Sequence, residues 1–273
     1  MDVTPTRVIA LASGKGGVGK SFLTLSLAQA LVRMGKRVLI LDADFGLGNI
    51  ELLAGQPSGR SAADVMSGRY TVHEVIVSSA DGLRVIPAGR GLPRAARADT
   101  HVLACLVGAI DQLAGQVDYL LIDTAGGLSS MDMQLIQAAG EVLVVLTPDP
   151  LVQLDAVDYI RVLRGHYNIH KFGIVTNMVK RQRDGYLLME TLQQRLGFEQ
   201  DLVLRYCGQT PLDVGLGKVS TAGPPLFADR ADTRVAHSID LLAQNVNRRR
   251  LGEPLSGAMS FFFEHNIKCT RRV

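Results

Sequence analysis

Apolar residues occur in short unbroken runs separated by stretches with helical spacing. Val8–Ala12, Val38–Leu41, Leu83–Ile86, Tyr119–Ile122, Val142–Leu146 and Phe172–Thr176 read as strands. Several are apolar throughout rather than alternating, as expected of strands covered on both faces. Between them, Lys20–Met34, His101–Leu113, Met131–Ala139, Gln153–Arg164 and Tyr186–Leu196 repeat their apolar positions every three to four residues and read as helices. Cys105 lies in the second of these helices and is expected in the core. The alternation predicts an α/β fold of right-handed βαβ units, a single domain whose mainly parallel sheet carries helices on both faces. Ligands of such sheets sit at the carboxyl ends of the strands.

Composition sharpens this only in part. Of the 273 residues, 47% are hydrophobic and 20% charged, so a large core is available and wholesale disorder is excluded. The chain has no Trp and few aromatics, which speaks against a base-stacking nucleic-acid platform. A net charge of +3 is too balanced for a dedicated DNA binder. The excess is local: six basic residues oppose two acids from Arg248 to Val273, leaving 23 basic against 24 acidic residues in the rest. Composition shifts after Asn247, where Gly252, Pro254 and Gly257 follow three arginines. This divides the chain into a domain over 1–247 and a basic linker with a C-terminal amphipathic helix over 248–273. The three cysteines have no disulfide or zinc spacing. No apolar leader stands at Met1–Arg7 and no apolar run reaches the about 18 residues of a membrane span, so a cytoplasmic location is expected.

The chemistry concentrates in Ser13-Gly14-Lys15-Gly16-Gly17-Val18-Gly19-Lys20-Ser21, which satisfies G-x-x-x-x-G-K-[ST] from Gly14 to Ser21, between a strand and a helix. Glycines let backbone N–H groups approach phosphate oxygens, and the helix start adds its positive dipole end. Lys20 is expected on the β- and γ-phosphates and the Ser21 hydroxyl on Mg²⁺. The strand Val38–Leu41 runs into Asp42-Ala43-Asp44, whose two-residue period would project both carboxylates from one side. Tyr119-Leu120-Leu121-Ile122-Asp123 is an apolar strand ending in an acid, the Walker B pattern, which assigns Asp123 to Mg²⁺ through water. The Gly126-Gly127 pair after it would let a switch segment move. No guanine-reading N-K-x-D occurs, so ATP is the expected nucleotide.

With Lys15 and Gly16-Gly17 inside the loop, the sequence resembles the deviant Walker A motif, K-G-G-x-G-K-[ST], of the MinD/ParA ATPases. The resemblance implies a slow Mg²⁺-dependent ATPase that dimerises with ATP. Lys15 would reach the partner's nucleotide, Asp44 would orient the attacking water, and Asp42 would belong to the Mg²⁺ environment. Asn177, after the strand Phe172–Thr176, and Pro211-Leu212-Asp213 resemble the adenine-binding segments, and Pro148-Asp149-Pro150 a segment where dimers meet.

The stretch Asp42-Ala43-Asp44-Phe45-Gly46-Leu47-Gly48-Asn49, the segment Ser61–Gly68, Leu83–Ala88 and the ending Phe261-Phe262-Phe263-Glu264 are similar to the flagellar-number branch, FleN/FlhG. That branch implies restraint of a FleQ-type transcription activator, with FlhF and flagellar switch proteins as further candidate partners. Only seven residues precede the first strand, without the D-Q-A-x-x-L segment that stimulates FlhF in part of the branch. The alternative is a ParA/MinD-type ATPase for DNA segregation or for positioning another structure, although a body at −1 charge advertises no strong DNA binding.

Met259, Phe262, Phe263, Asn266 and Ile267 follow i, i+3, i+4, i+7, i+8 spacing, with Phe261 widening the apolar side. An isolated helix of about three turns is marginal in water, so an apolar surface must stabilise it. The basic flanks suit an anionic membrane, and a groove on the protein's own body is the other candidate. Both are expected in alternation, docked in the monomer and released to the membrane in the ATP dimer.

Overall fold

The computed structural model describes residues 5–46, 48, 50–53, 55, 57–89, 100–197, 201–213, 233–248 and 259–270. The segment 92–99, with its two arginines, and most of the linker after Asn247 lie outside them.

Eight strands form one sheet. They are β1 (Arg7–Ala12), β2 (Val38–Asp42), β3 (Val77–Ser78), β4 (Arg84–Ile86), β5 (Tyr119–Asp123), β6 (Glu141–Leu146), β7 (Lys171–Val179) and β8 (Val203–Pro211). The order across the sheet is β3-β4-β2-β5-β1-β6-β7-β8, and every pairing is parallel except β3 with β4. The helices are α1 (Lys20–Arg33), α2 (Ile50–Leu53), α3 (Ala62–Met66), α4 (Val72–Val75), α5 (Thr100–Asp111), α6 (Ser130–Ala139), α7 (Pro150–Tyr167), α8 (Gln182–Leu196), α9 (Arg234–Arg248) and α10 (Phe263–Thr270).

Burial explains the unbroken apolar runs. Along β1, Val8, Ala10 and Ala12 join one core layer, while Ile9 and Leu11 join the other. The first layer packs under α3, α5, α6 and α7; the second lies under α1 and α9. Because both faces are covered, neither can carry polar alternation. The chain steps from β1 to β2 in one direction and from β6 to β8 in the other, so β1 and its neighbours border the switch point where open α/β sheets bind ligands.

At the opposite end of the sheet, Arg7 and Glu141 form a buried ion pair of 2.7 Å between the starts of β1 and β6. Arg7 also donates to the Val246 carbonyl and Tyr119 Oη donates to Asn247 Oδ1 at 2.8 Å, tying the end of α9 to the sheet.

The differences from the sequence reading have local causes. α7 begins at Pro150, because the Asp149 carboxylate caps Leu151 N–H at 2.8 Å and proline suits a first helical turn. Helix α9 and strands β3 and β8 were not foreseen. For α9 the signal is present, since Val235, Ala236, Ile239, Leu242, Ala243 and Val246 are all buried at helical spacing. Cys105 is exposed rather than core, since α5 buries Leu103, Leu106, Val107 and Ile110 and turns Cys105 away.

The tail departs more sharply. Residues 259–262 are not helical, so helical spacing does not apply across them. Phe261 and Phe262 are buried to 2% and 1% exposure, whereas Phe263, expected on the buried face, is 43% exposed. Phe262 takes the left-handed region at φ 56° and donates its N–H to Asp111 Oδ1 at 2.6 Å. Phe261 N–H donates to the Ala138 carbonyl at the end of α6, and Met259 packs against the same core layer. The tail is thus docked on the body. Ile267 lies in α10, with its side chain outside the described set.

Candidate nucleotide site

The loop Ser13–Gly19 links β1 to α1. Gly19 stands at φ 89° as the N-cap of α1, and a Cβ there would run into the Asn177 amide. The loop needs glycine at this point for both conformation and space. Lys15, Gly16 and Gly17 are exposed at the lip, Gly14 is half-buried and Val18 is buried. Lys20 is 5% exposed and its Nζ donates to Ser13 Oγ at 2.7 Å. Burial lowers its pKa, opposed by the charges of Asp123, Asp132 and Asp44.

The acids approach from the neighbouring strand ends. Asp42 and Asp123 are register partners on β2 and β5. Ser21 Oγ donates to Asp123 Oδ2 at 2.6 Å, and Thr24 Oγ1 to Asp123 Oδ1 at 3.0 Å. Burial raises the Asp123 carboxyl to about 6 against these bonds and Lys20. Asp42 is pushed up to about 7, again by burial, although its oxygens accept the N–H groups of Ile50 and Asp44, each at 3.1 Å.

Asp42 and Asp44 do not extend side by side along a strand. β2 ends at Asp42 and the chain curls, so that Asp42 organises the turn from which Asp44 projects. Asp44 borders a cavity of about 350 Å³, lined also by Phe45, Gly126, Ser129 and Asp132. The set fits Mg²⁺ and a polyphosphate: a hydroxyl and a carboxylate 2.6 Å apart beside a buried ammonium. At Gly126, φ 96°, an added Cβ would lie 2.6 Å from Lys20 Nζ, so glycine suits both the backbone conformation and the space beside the lysine.

Asn177 is 4% exposed and lies against the loop. Its Nδ2 donates to the Val18 carbonyl at 2.8 Å, and its Oδ1 accepts Met178 N–H at 2.9 Å and the Thr210 hydroxyl. It therefore ties the phosphate loop to the ends of β7 and β8. Pro211 ends β8, and Leu212, 46% exposed, donates its N–H to the Val179 carbonyl at 2.9 Å with half-buried Asp213 beyond it. Pro211 also lines a cavity of about 1000 Å³ between α8, β8 and α9, with Arg181, Tyr206 and His237. Thr24 and Asp132 were missed by the sequence reading, whereas Ser13 and Thr210 stood in the motifs it picked out without a role of their own. Only Asp132 carried a signal, the S-x-x-D helix start from Ser129.

A glycine-rich loop between the first strand and helix of a parallel sheet, facing acids on adjacent strand ends, defines a P-loop NTPase. The chain belongs to the ParA family of these proteins: the family model described as ParA, NUBPL iron-transfer P-loop NTPase, matches residues 4–247. It is 30% identical to the antiactivator FleN of Pseudomonas aeruginosa, over 97% of this chain and 94% of that one. It is equally 30% identical to the septum site-determining protein MinD of Synechocystis, over 97% and 96%. In structure it is similar to a chain of the MinC:MinD cell division protein complex of Aquifex aeolicus, with TM-score 0.74 and 25% identity over 93% of this chain and all of that one. The fold likewise matches MinD of Pyrococcus horikoshii, solved with Mg-ADP, at TM-score 0.71 and 24% identity over 89% and 96%.

Proposed function

We propose that the chain is a Mg²⁺-dependent ATPase that acts as a dimerising switch and sets flagellar number by restraining a FleQ-type transcription activator. What carries the reading is one constellation: buried Lys20, the Ser21–Asp123 pair and Asp44 around a single glycine-rich loop, with Lys15 exposed at its lip. Lys20 and the loop amides from Gly14 to Ser21 hold the phosphates. Ser21 and Asp123, with Asp42 in the same environment and keeping the neighbouring turn in place, would hold Mg²⁺, which would supply charge neutralisation at the phosphates. Asp44 orients the water that attacks the terminal phosphoryl group, releasing ADP and phosphate. Lys15 acts on the nucleotide of a second copy, where an exposed lysine can stabilise charge on the transferring group. Asn177 shapes the base site from behind, with Pro211, Leu212 and Asp213 along its edge.

The flagellar assignment is supported by 30% identity to an antiactivator over nearly the whole chain. The ATP dimer would bind the activator at the cytoplasmic face, with the docked tail released toward anionic lipid. No described helix is long and apolar enough to cross a membrane, so such association would be peripheral. Deleting the gene in a motile host should give cells with too many flagella, and unchanged flagellar number overturns the assignment.

The equal identity to MinD supports a second reading, a ParA/MinD-type ATPase that positions another cellular structure. Normal flagella together with misplaced division septa in the deletion strain would favour it.

A further inference from the structure

Asp132 has no part in the chemistry proposed for Lys20, Asp44 and Asp123, yet it is built into the same wall. It lies in the first turn of α6 behind the N-cap Ser129, whose Oγ accepts the Asp132 N–H at 3.1 Å and donates to Asp132 Oδ2 at 2.7 Å. A carboxylate in a helix's first turn is ordinarily solvated. This one is 2% exposed. Its second oxygen turns back along the chain and accepts the N–H of Ala125, at 3.4 Å. Burial opposes its ionisation and the positive charge of Lys20 favours it.

Besides Thr124, whose N–H and hydroxyl donate to the Leu11 carbonyl at 3.4 and 2.9 Å, three contacts bear on the placement of Gly126 between β5 and α6. Ser21 and Thr24 hold Asp123 at the start of the segment. Gly127 donates its N–H to the Ser13 carbonyl at 2.9 Å. The Asp132 carboxylate holds Ala125, directly before Gly126, where an added Cβ would lie 2.6 Å from Lys20 Nζ. The first two contacts come from the phosphate loop and α1. The third joins Ala125, four residues before the Ser129 cap, to α6.

We infer that Asp132 is a positioning residue that couples α6 to the Thr124–Ala125 peptide and so places the segment that follows beside Lys20. The inference deepens the ATPase reading and rests on it. Asp132 acts through the backbone of Ala125 and touches no reacting atom. A shift of α6 reaches the phosphate lysine through this carboxylate, because Gly126 has no side chain to keep its own distance.

Asp132→Ala removes the acceptor of the Ala125 N–H, whereas Asp132→Asn can keep it: the amide oxygen stays on Ala125 and the Ser129 hydroxyl rotates to accept from the NH₂ group. Expected for Asp132→Ala is about a tenfold loss of ATP turnover with the KM for ATP and the affinity for ADP kept within about twofold. Amide exchange over 124–128, measured without nucleotide, should quicken in Asp132→Ala, and Asp132→Asn should restore exchange and turnover to near wild type. Wild-type turnover in Asp132→Ala overturns the inference, as does a turnover loss matched by lost nucleotide affinity or an Asp132→Asn protein as slow as Asp132→Ala. Unchanged exchange over 124–128 in Asp132→Ala overturns it whatever turnover does. If the wild-type protein hydrolyses no ATP, the ATPase reading falls instead, and the exchange measurement still judges Asp132.

Discussion

Lys20 places a buried ammonium beside the phosphate loop, so Lys20→Ala should abolish nucleotide binding, read with a fluorescent ATP analogue; retained binding would remove Lys20 from the site. Asp44 borders the cavity beside the loop, so Asp44→Ala should bind ATP and lose turnover by about 10²-fold or more. Wild-type hydrolysis by that variant would end its assignment. Asp42 and Asp123 set a pH dependence, because burial raises them to about 7 and about 6. Between the unfolded carboxylate range near 4 and these values the folded state binds more protons, so the bare protein loses stability as pH rises. Ionised carboxylates attract Mg²⁺, whereas protons compete with it. The melting-temperature increase produced by Mg²⁺ with ADP should therefore be larger at pH 8 than at pH 5.5. An equal increase at both would detach these acids from the cation.

At the scale of elements, the molecule is closed at the end of the sheet remote from the nucleotide. Removing Glu141 would leave Arg7 buried and unpaired beneath α9. Glu141→Ala should cost about 3–5 kcal/mol in denaturant unfolding, and a loss under about 1 kcal/mol would show that the pair is solvated. The same end anchors the tail. Phe262 is a bulky residue held at positive φ, a strain of order 1–3 kcal/mol that its burial and the Asp111 bond must offset. Phe262→Ala should free the tail, seen as faster trypsin cleavage at Lys268 without a change in ATP affinity; wild-type cleavage would mean that other contacts hold it.

These cases show what local pattern can carry. Strands β1, β2, β5, β6 and β7 were legible because burial on both faces leaves only apolar residues. The phosphate loop was legible because glycine, lysine and serine each have one physical use there. The turn at Phe262 was not, since an Asp111 bond 151 residues away overrides helical spacing. Asp132 was not legible beyond the S-x-x-D pattern of a helix start, because only the fold brings its second oxygen onto Ala125.

For the whole molecule, the exposed lip of the loop is where one copy can act on another. Lys15 is exposed, and Leu128, Leu151 and Leu154 stand 55%, 58% and 46% exposed on the segments flanking the site. Apolar side chains around a polar centre suit a face that is covered part of the time. A two-fold pairing would bury these leucines and set each Lys15 toward the opposite nucleotide, so ATP would be both the ligand and part of the interface. The Asp44→Ala protein, which should hold ATP without consuming it, is the form in which to look. Light scattering at micromolar concentration should give a dimer with ATP and a monomer with ADP. Lys15→Ala should bind ATP with wild-type affinity yet remain monomeric, because its loss removes a cross-interface charge and leaves Lys20 in place. Leu151→Glu should also remain monomeric, through the cost of burying an unpaired carboxylate. If Asp44→Ala stays monomeric with saturating ATP, the lysine serves its own site and the switch does not work through dimerisation.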